Sequence, residues 1–439
     1  MPVADPHSRR EFLATAGAAA AASAVPSWAA PAGSKRRYAL VGTGIRGTRM
    51  WGRDIQQRYG DVAEFVGLCD VNPLRVAVGQ RYIGTSCPTF TRLDEMLAAT
   101  KPDALIVTTV DAAHADCIVA AFDRGIDVIT EKPMVIDEAQ CRAVMEAEKR
   151  SGRKLTVTFN YRYAPKHQLI KETLMSGAIG RVTSVDFSWY LDVKHGADYF
   201  RRWHRLRAKG GSLWVHKATH HFDLVNWWLD ADPVDVTAAA RLDHYGRNGP
   251  FRHTHCRPCP HKAQCAFHWD ITKSPDLVAL YNECESADGY HRDGCVFRED
   301  VDIFDTMNAL VRYSNGVSMS YSVSAFMPFE GYRVAFNGTK GRLEVRDYER
   351  QPWPVTEETE AYLTRNFGER EKLAIPQVKG GHGGGDDRLR DIIFRGTSAP
   401  EHMRLPGSRA GAMSCLTGVA ARKSADEGRL VKLSELLPA

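Results

Sequence analysis

One stretch near the N-terminus decides the fold of the first part of the chain: Tyr38-Ala39-Leu40-Val41-Gly42-Thr43-Gly44-Ile45-Arg46-Gly47. Its first four residues are an apolar run typical of a buried strand. The three glycines that follow have the spacing G-x-G-x-x-G, which provides a tight turn, a close backbone approach to a pyrophosphate and close helix–strand packing. We therefore expect a strand, a phosphate-binding turn and a helix over residues 48–59, whose N-terminus favours anions.

A second apolar run, residues 64–69, is followed by Asp70. An acid about 20 residues after the glycine motif binds the ribose 2′-hydroxyl of NAD and repels the 2′-phosphate of NADP. Arg75 lies close enough in sequence to weaken that preference. Strand and helix patterns alternate as far as residue 130, so the sequence predicts an α/β fold whose N-terminal part, residues 35–155, is an NAD-binding Rossmann domain with a doubly wound parallel sheet.

Polar residues follow two further predicted strands, at the sheet edge where ligands of such folds bind. Lys132, within Glu131-Lys132-Pro133, faces the nicotinamide end of a dinucleotide, where an ammonium can bind a substrate hydroxyl and stabilise an alkoxide. The alternative interpretation of Lys132 is an exposed surface lysine without a role in binding or catalysis. The predicted cofactor-binding residues are Gly42, Thr43, Gly44, Ile45, Arg46, Gly47, Asp70, Arg75, Thr108, Thr109, His114, Glu131 and Lys132.

The order of these motifs resembles the Gfo/Idh/MocA oxidoreductases, and the resemblance extends through Gly338-Thr339-Lys340-Gly341-Arg342-Leu343-Glu344. It covers nearly the whole chain after Lys35. The resemblance implies that Lys132 is catalytic and that the chain forms a homo-oligomer through the open sheet face of a second domain. Residues 156–439 are expected to be that substrate and oligomerisation domain, of α+β type, because their strands alternate apolar and polar residues as in a large, mostly antiparallel open sheet.

The segment Gly210–Asp223 carries a cluster of basic residues beside an apolar stripe. His216, Lys217, His220 and Asp223 are spaced by three and four, so they can share one helix face. Imidazoles suit proton transfer near neutral pH, and we predict Lys217, His220 and His216 as catalytic partners of Lys132. By the resemblance, an acid is expected at the position of His216. A structural cap, or a metal pair of His216 and His220, remains an alternative.

Residues 156–163 are expected to form a strand with a polar end. Contacts to a polyhydroxylated substrate are predicted from this strand end, from Trp203 and from Asp223, although ordinary strand ends and packed loops have the same composition. The predicted substrate-binding residues are Asn160, Tyr161, Arg162, Trp203 and Asp223. Residues 346–380 are polar and are interpreted as a loop. The glycine-rich stretch after them favours a linker, with His382 as a residue that could reach the site.

Five of the ten cysteines lie in an insert, residues 253–295. Cys256, Cys259, Cys265 and Cys284 are predicted ligands of a structural zinc ion or iron–sulfur cluster, because closely spaced thiolates suit both. Disulfides and free packed thiols are the competing possibilities.

The N-terminus indicates export. Arg9-Arg10 precedes Phe12-Leu13 and an alanine-rich apolar run, so residues 1–32 are interpreted as a twin-arginine signal peptide leading to the periplasm. No later apolar run is long enough for a membrane span. The net charge of +5, from 58 basic and 53 acidic residues, is too small and too evenly spread to favour nucleic acid.

The sequence thus predicts an exported NAD-dependent oxidoreductase acting on a hydroxyl of a sugar, cyclitol or glycoside. Because free NAD is scarce outside the cytoplasm, the cofactor is expected to be tightly bound and recycled in the site. One alternative is a redox-neutral glycosidase, in which transient oxidation at C3 permits elimination, hydration and re-reduction. A second is a sugar-binding protein without catalysis.

Overall fold

The structure is a computed structural model, and it describes residues 34–355, 357–376, 378 and 380–437. The predicted signal peptide over residues 1–32 lies outside these residues. Among the described residues, no helix combines the length and the apolar character that crossing a membrane requires.

Six described strands form a parallel sheet in the order β3-β2-β1-β4-β5-β6. They are β1 Arg36–Val41, β2 Ala63–Cys69, β3 Thr89–Phe90, β4 Ala104–Val107, β5 Asp127–Thr130 and β6 Leu155–Val157. The strand order reverses between β1 and β4, which opens a crevice beyond their carboxyl ends. The predicted doubly wound parallel sheet is confirmed, and the glycine motif and Thr108 both lie at this crevice.

Helices cover both faces of the parallel sheet. They are Asp54–Arg58, Pro73–Ile83, Leu93–Thr100, His114–Phe122 and Glu138–Ser151. The helix expected over residues 48–59 is divided into a wide π-helical segment, Gly47–Arg53, and the short α-helix after it. Gly47 is the first residue of this element. A side chain does not fit there, because a Cβ would lie 2.0 Å from the carbonyl oxygen of Gly42.

Nine described strands form the second sheet, in the order β14-β13-β12-β11-β7-β10-β9-β8-β15. They are β7 Val182–Asp192, β8 Pro233–Arg241, β9 Thr306–Tyr313, β10 Ser318–Met327, β11 Glu330–Gly338, β12 Gly341–Arg350, β13 Thr359–Arg365, β14 Arg370–Leu373 and β15 Val431–Lys432. Apart from the parallel pair β7 and β10, the neighbours are antiparallel. Burial alternates along β9 and β12, so one face packs on the core and the other is polar, as the sequence predicted.

Helices Ala218–Leu229 and Ser408–Glu427 contribute the largest numbers of buried residues among the described helices of the second domain, and their apolar side chains join those of both sheets in one core. The remaining α-helices are Pro165–Met175, Val193–Arg201, Arg207–Gly210, Leu213–His216, Pro275–Leu280, Glu285–Asp288, Gly385–Arg395 and Leu433–Leu436.

Two local predictions were wrong. Residues 346–380 are not a loop, because β12 continues to Arg350 and the hairpin β13–β14 follows. Only Thr359, Ala361 and Leu363 of β13 are buried, and Glu360 and Tyr362 lie between them, so no continuous apolar run marks the strand. The strand expected over residues 156–163 ends at Val157, where the chain enters a 3-10 turn.

Candidate active site

The glycine loop is fixed against the end of β4. Gly42 has a φ of +91°, and a Cβ there would lie 2.6 Å from the carbonyl carbon of Thr108. The Thr108 hydroxyl donates to the Gly42 carbonyl oxygen at 2.6 Å. The loop leads directly into the helical segment Gly47–Arg53, and helix N-termini in this position attract a pyrophosphate.

Asp70 directly follows β2 and is hydrogen-bonded to the glycine loop. Its carboxylate accepts hydrogen bonds from the backbone N–H groups of Thr43 at 2.8 Å and Asn72 at 2.9 Å. Arg75 lies 3.5 Å from Asp70 but pairs more closely with Asp288, at 2.7 Å. Because Asp288 and Asp70 compensate the positive charge of Arg75, this guanidinium attracts a 2′-phosphate only weakly. The loop and the acid together fit NAD.

Several predicted cofactor residues have partners within the protein. Arg46 turns its guanidinium away from the loop and donates to Glu131 at 2.7 Å. The ring nitrogens of His114 lie 2.7 Å from the Pro133 carbonyl oxygen and 3.3 Å from that of Thr109, so His114 ties the two strand ends together. Thr109 donates its hydroxyl to the neighbouring Val110 carbonyl.

Lys132 lies where β5 ends, at the crevice. Its ammonium donates to the backbone carbonyl oxygen of His216 at 3.1 Å, so it reaches across from the first domain to the second. Burial lowers the pKa of Lys132 to about 8; Lys217 and Arg46 act in the same direction, and Asp111 and Glu131 oppose them. An amine with such a pKa can exchange a proton near neutral pH.

Asp111 and His216 form a buried pair beside this lysine. The Oδ2 of Asp111 lies 2.5 Å from the Nδ1 of His216, a hydrogen bond that carries one proton. Burial raises the pKa of Asp111 well above its usual value, and burial together with Lys132 lowers the pKa of His216. Asp111 was not identified from the sequence. The resemblance led us to expect an acid at position 216, and the structure instead places a carboxyl group of the first domain against His216.

The basic segment is not one continuous helix. Leu213–His216 is a short helix, and Ala218–Leu229 starts after a break at Lys217. The prediction that four polar residues share one helix face was therefore wrong, but the break places Lys217 4.4 Å from the centre of the Trp189 ring. Burial lowers the pKa of the Lys217 ammonium, with Glu330 opposing it.

His220 is stacked on the Tyr161 ring with centroids 4.3 Å apart. Only 4% of the residue is exposed, and within the described part of the chain its Nδ1 has no hydrogen-bond partner. Burial and the nearby Lys132 and Lys217 lower the pKa of His220 well below its usual value, so the ring is neutral. A neutral, unpartnered imidazole nitrogen is available to a substrate hydroxyl.

A second histidine–carboxylate pair lies next to the first. Nδ1 of His195 is 2.8 Å from Oε1 of Glu330, and its Nε2 is 2.9 Å from the Tyr199 hydroxyl. The Tyr199 ring lies 5.5 Å from that of His216. Glu330 is buried at the start of β11, and no sequence pattern had identified it.

The glycine-rich stretch folds onto the site and is not a free linker. His382 lies 3.0 Å from the Asn160 side chain and 2.9 Å from Asp386, which also accepts from Asn160. A Cβ on Gly385 would lie 2.3 Å from the Asn160 carbonyl oxygen, so glycine permits this approach. The glycine-rich stretch had indicated His382 as a residue that could reach the site, but its partner Asn160 was not identified, because the contact joins residues more than 200 positions apart.

The predicted substrate residues fall into two groups. Arg162 and Asp223 form a buried bidentate ion pair with each other, which fits a structural role as well as a binding one. Trp203 stacks on His204 at 3.6 Å and lies 5.8 Å from the His216 ring, and Tyr161 supports His220.

The insert cysteines are separated into two places. Cys256, Cys259, Cys265 and Cys295 line one cavity of about 20 Å³, whereas Cys284 packs with Val78 beside the Rossmann domain. The prediction that Cys284 belongs to the same ligand set as Cys256, Cys259 and Cys265 was therefore wrong. The described residues contain no group of three His, Cys, Asp or Glu side chains arranged to hold a metal ion, and the cysteines are unbridged.

Two family models match the chain. The family described as "Oxidoreductase family, NAD-binding Rossmann fold" matches residues 36–159, and "Oxidoreductase family, C-terminal alpha/beta domain" matches residues 171–433. The Bacillus subtilis protein "Putative oxidoreductase YteT" is 38% identical over 91% of this chain and 98% of its own length. An inositol 2-dehydrogenase of Rhizobium meliloti is 29% identical over 34% of this chain and 43% of its own length.

Solved structures share the fold. A levoglucosan dehydrogenase in complex with NADH and levoglucosan has a TM-score of 0.64 at 18% identity, over 91% of this chain and 99% of that one. The WlbA dehydrogenase of Bordetella pertussis, in complex with NADH and UDP-GlcNAcA, has a TM-score of 0.62 at 21% identity, over 91% and 98%. The two family matches, the relative that spans nearly the whole chain, and the Glu131-Lys132-Pro133 motif at the crevice lead to one conclusion: the chain is an oxidoreductase of the Gfo/Idh/MocA family.

Proposed function

We propose that the protein transfers hydride between NAD and a carbon that bears a hydroxyl group of a sugar, cyclitol or glycoside. The observation that carries the proposal is the convergence of Lys132, the Asp111–His216 pair and His220 at the carboxyl edge of the parallel sheet, beside a loop that fits NAD. NAD supplies the hydride acceptor or donor when bound. The protein residues bind the hydroxyl, orient it and move its proton.

Lys132 is the proposed proton acceptor for the substrate hydroxyl during oxidation. Its ammonium, held by the His216 carbonyl, has a pKa lowered to about 8 by burial, so part of the population is neutral near pH 8. After it takes the proton, the positive charge stabilises the remaining negative charge on the substrate oxygen. His220 and the Asp111–His216 pair are proposed to bind neighbouring hydroxyls and relay the proton.

Purified protein mixed with a panel of cyclitols, aldoses and glycosides in the presence of NAD tests this proposal by NADH absorbance at 340 nm. We expect reduction with at least one polyol, and its loss in Lys132→Met. If every substrate leaves NAD unreduced and unbound, the proposal is wrong.

A redox-neutral glycosidase is the second candidate, and one observation favours it. Hydride transfer needs one proton acceptor, yet the site holds three histidine–carboxylate pairs: Asp111–His216, His195–Glu330 and His382–Asp386. Elimination and hydration of a glycoside require additional acid and base groups. Release of nitrophenol from nitrophenyl glycosides without added oxidant, with solvent deuterium entering at C2, would distinguish this activity from net oxidation.

We further propose export by the twin-arginine route with NAD tightly bound. Arg9 and Arg10, before an alanine-rich apolar run, support it. Cell fractionation tests it: the wild-type chain should appear in the periplasm with NAD that survives dialysis, and the double variant Arg9→Lys, Arg10→Lys should stay in the cytoplasm. Equal distribution of both chains would overturn the export proposal alone.

A further inference from the structure

The insert extends from the second domain onto the dinucleotide crevice. We call residues 275–290 the cover segment; it contains the short helices Pro275–Leu280 and Glu285–Asp288. Leu280, Tyr281 and Cys284 form a small apolar cluster with Val78 of the Rossmann domain, separate from the two larger cores. The cover segment therefore packs on the first domain without being part of it.

Tyr281 occupies the phosphate-binding side of the glycine loop. Its hydroxyl oxygen accepts the backbone N–H of Ile45 at 3.0 Å. A Cβ built on Gly44 would lie 3.2 Å from the same oxygen, so the hydroxyl stands over the bare backbone of the second glycine. In this fold a pyrophosphate oxygen approaches that glycine and accepts from these N–H groups. The tyrosine hydroxyl is thus placed like a phosphate oxygen.

The adenosine side of the crevice is covered by the same segment. Asn72 donates to the Cys284 carbonyl oxygen at 2.9 Å, and Arg75 donates to the Leu280 carbonyl oxygen at 3.2 Å. Arg75 also pairs with Asp288 at 2.7 Å. These residues follow β2 at the point where a ribose is bound in dinucleotide-binding domains.

A third attachment holds the beginning of the segment. Asp276 accepts hydrogen bonds from the Tyr82 hydroxyl, at 2.9 Å, and from Arg49. The attachments are a few polar contacts and one small apolar cluster. Segments held in this way open locally at a lower free energy than the whole domain.

We propose that the cover segment competes with the dinucleotide for the glycine loop, so that the hydroxyl of Tyr281 must leave the Ile45 N–H before the pyrophosphate binds. The Ile45 N–H group cannot donate a full-strength hydrogen bond to the Tyr281 hydroxyl and to a pyrophosphate oxygen at the same time. Entry and exit of the cofactor then both pass through opening of the segment. The inference rests on the proposed function, because it takes NAD(H) as the ligand, and it supplies a reason for slow cofactor release.

The test is the association rate of NADH with the full chain, measured by stopped-flow NADH fluorescence after the bound NAD has been removed. Tyr281→Phe removes the competing hydroxyl and keeps the ring packing, and we expect a roughly threefold to tenfold faster association, the effect of one neutral hydrogen bond. Asp288→Asn should act in the same direction by weakening the contact to Arg75. Tyr313→Phe, in β9 of the second sheet, is the matched control and should leave the rate unchanged.

Hydrogen exchange provides the second measurement. NADH should protect the amides of the glycine loop and at the same time raise exchange within residues 275–290. Slower association in Tyr281→Phe, or protection of both regions by NADH, would make Tyr281 a cofactor contact and overturn the competition. If neither the wild type nor any variant binds NADH, the proposed function fails and this inference with it; normal binding with an unchanged rate in Tyr281→Phe overturns only the inference.

Discussion

The imidazole of His216 lies 2.5 Å from the carboxyl group of Asp111, and this hydrogen bond joins the two domains across the candidate active site. Asp111 follows β4 of the parallel sheet, whereas His216 ends a short helix of the second domain. The His216 carbonyl also holds the Lys132 ammonium. One residue of the second domain therefore positions both a carboxyl group and an amine of the first.

Replacement of Lys132 should separate chemistry from cofactor binding. Lys132→Met removes the proton acceptor, and we expect turnover to fall by about 10²- to 10⁴-fold, the usual contribution of general acid–base catalysis. NADH binding, measured by fluorescence titration, should change little. Lys154→Met, at an exposed position, is the control and should retain full turnover.

Oxidation of the substrate should become faster as the pH rises through about 8. Burial lowers the pKa of Lys132 to about 8, and only the neutral amine, which predominates above that pH, accepts the hydroxyl proton. A plot of kcat/KM against pH should rise and then level off. An equal rate at pH 6 and pH 9 would contradict the assignment.

Asp111→Asn should lower turnover about 10²-fold and shift this pH profile. Because the Asp111 charge raises the pKa of Lys132, its removal should move the rising limb to lower pH. Asp116→Asn, an exposed acid on the next helix, should leave both values unchanged. A profile that keeps its position in Asp111→Asn would show that the carboxyl group does not act on Lys132.

Gly385→Ala should reduce activity while the protein remains folded. The added Cβ would lie 2.3 Å from the Asn160 carbonyl oxygen, so the segment that carries His382 and Asp386 must shift away from the site. We expect a higher KM with an unchanged circular dichroism spectrum. Gly407→Ala, whose nearest neighbour would be 3.6 Å away, serves as the control.

The Arg162–Asp223 pair should contribute mainly to stability. Asp223→Ala leaves a buried guanidinium without its partner, which costs about 3–5 kcal/mol of the free energy of unfolding. Urea unfolding followed by tryptophan fluorescence measures this. A variant as stable as the wild type, but with a raised KM, would assign Asp223 to substrate binding.

Counting the reactive thiols tests whether the cysteines of the insert are free, as the structure has them. The structure leaves all ten cysteines unbridged, most of them buried, so iodoacetamide without a reductant should modify few of them in the folded protein and ten in urea. Mass spectrometry gives the count. A smaller number in urea would indicate disulfides, and metal retained after dialysis would indicate a site that the described arrangement does not form.

Most of the first domain could be predicted from local sequence motifs. The glycine spacing, Asp70 and the Glu131-Lys132 strand end were identified because each depends on near neighbours: a turn, a helix start, or the end of a buried strand. Asp386 and Glu330 were missed, since a lone acid in a loop or at a strand end carries no pattern until another part of the chain meets it. Cys284 was misplaced for the same reason, because spacing alone does not show which thiols share a cavity.

The sequence by itself determined the parallel sheet, the dinucleotide loop and the place of Lys132, since these follow from hydrophobic periodicity and the backbone freedom of glycine. The tertiary structure alone decided which side chains meet Lys132, that the helix is interrupted at Lys217 directly after His216, and that the Tyr281 hydroxyl accepts from the Ile45 N–H. Such contacts join residues from distant parts of the chain. They depend on how two domains and an insert pack together, and no periodicity within a single element records that packing.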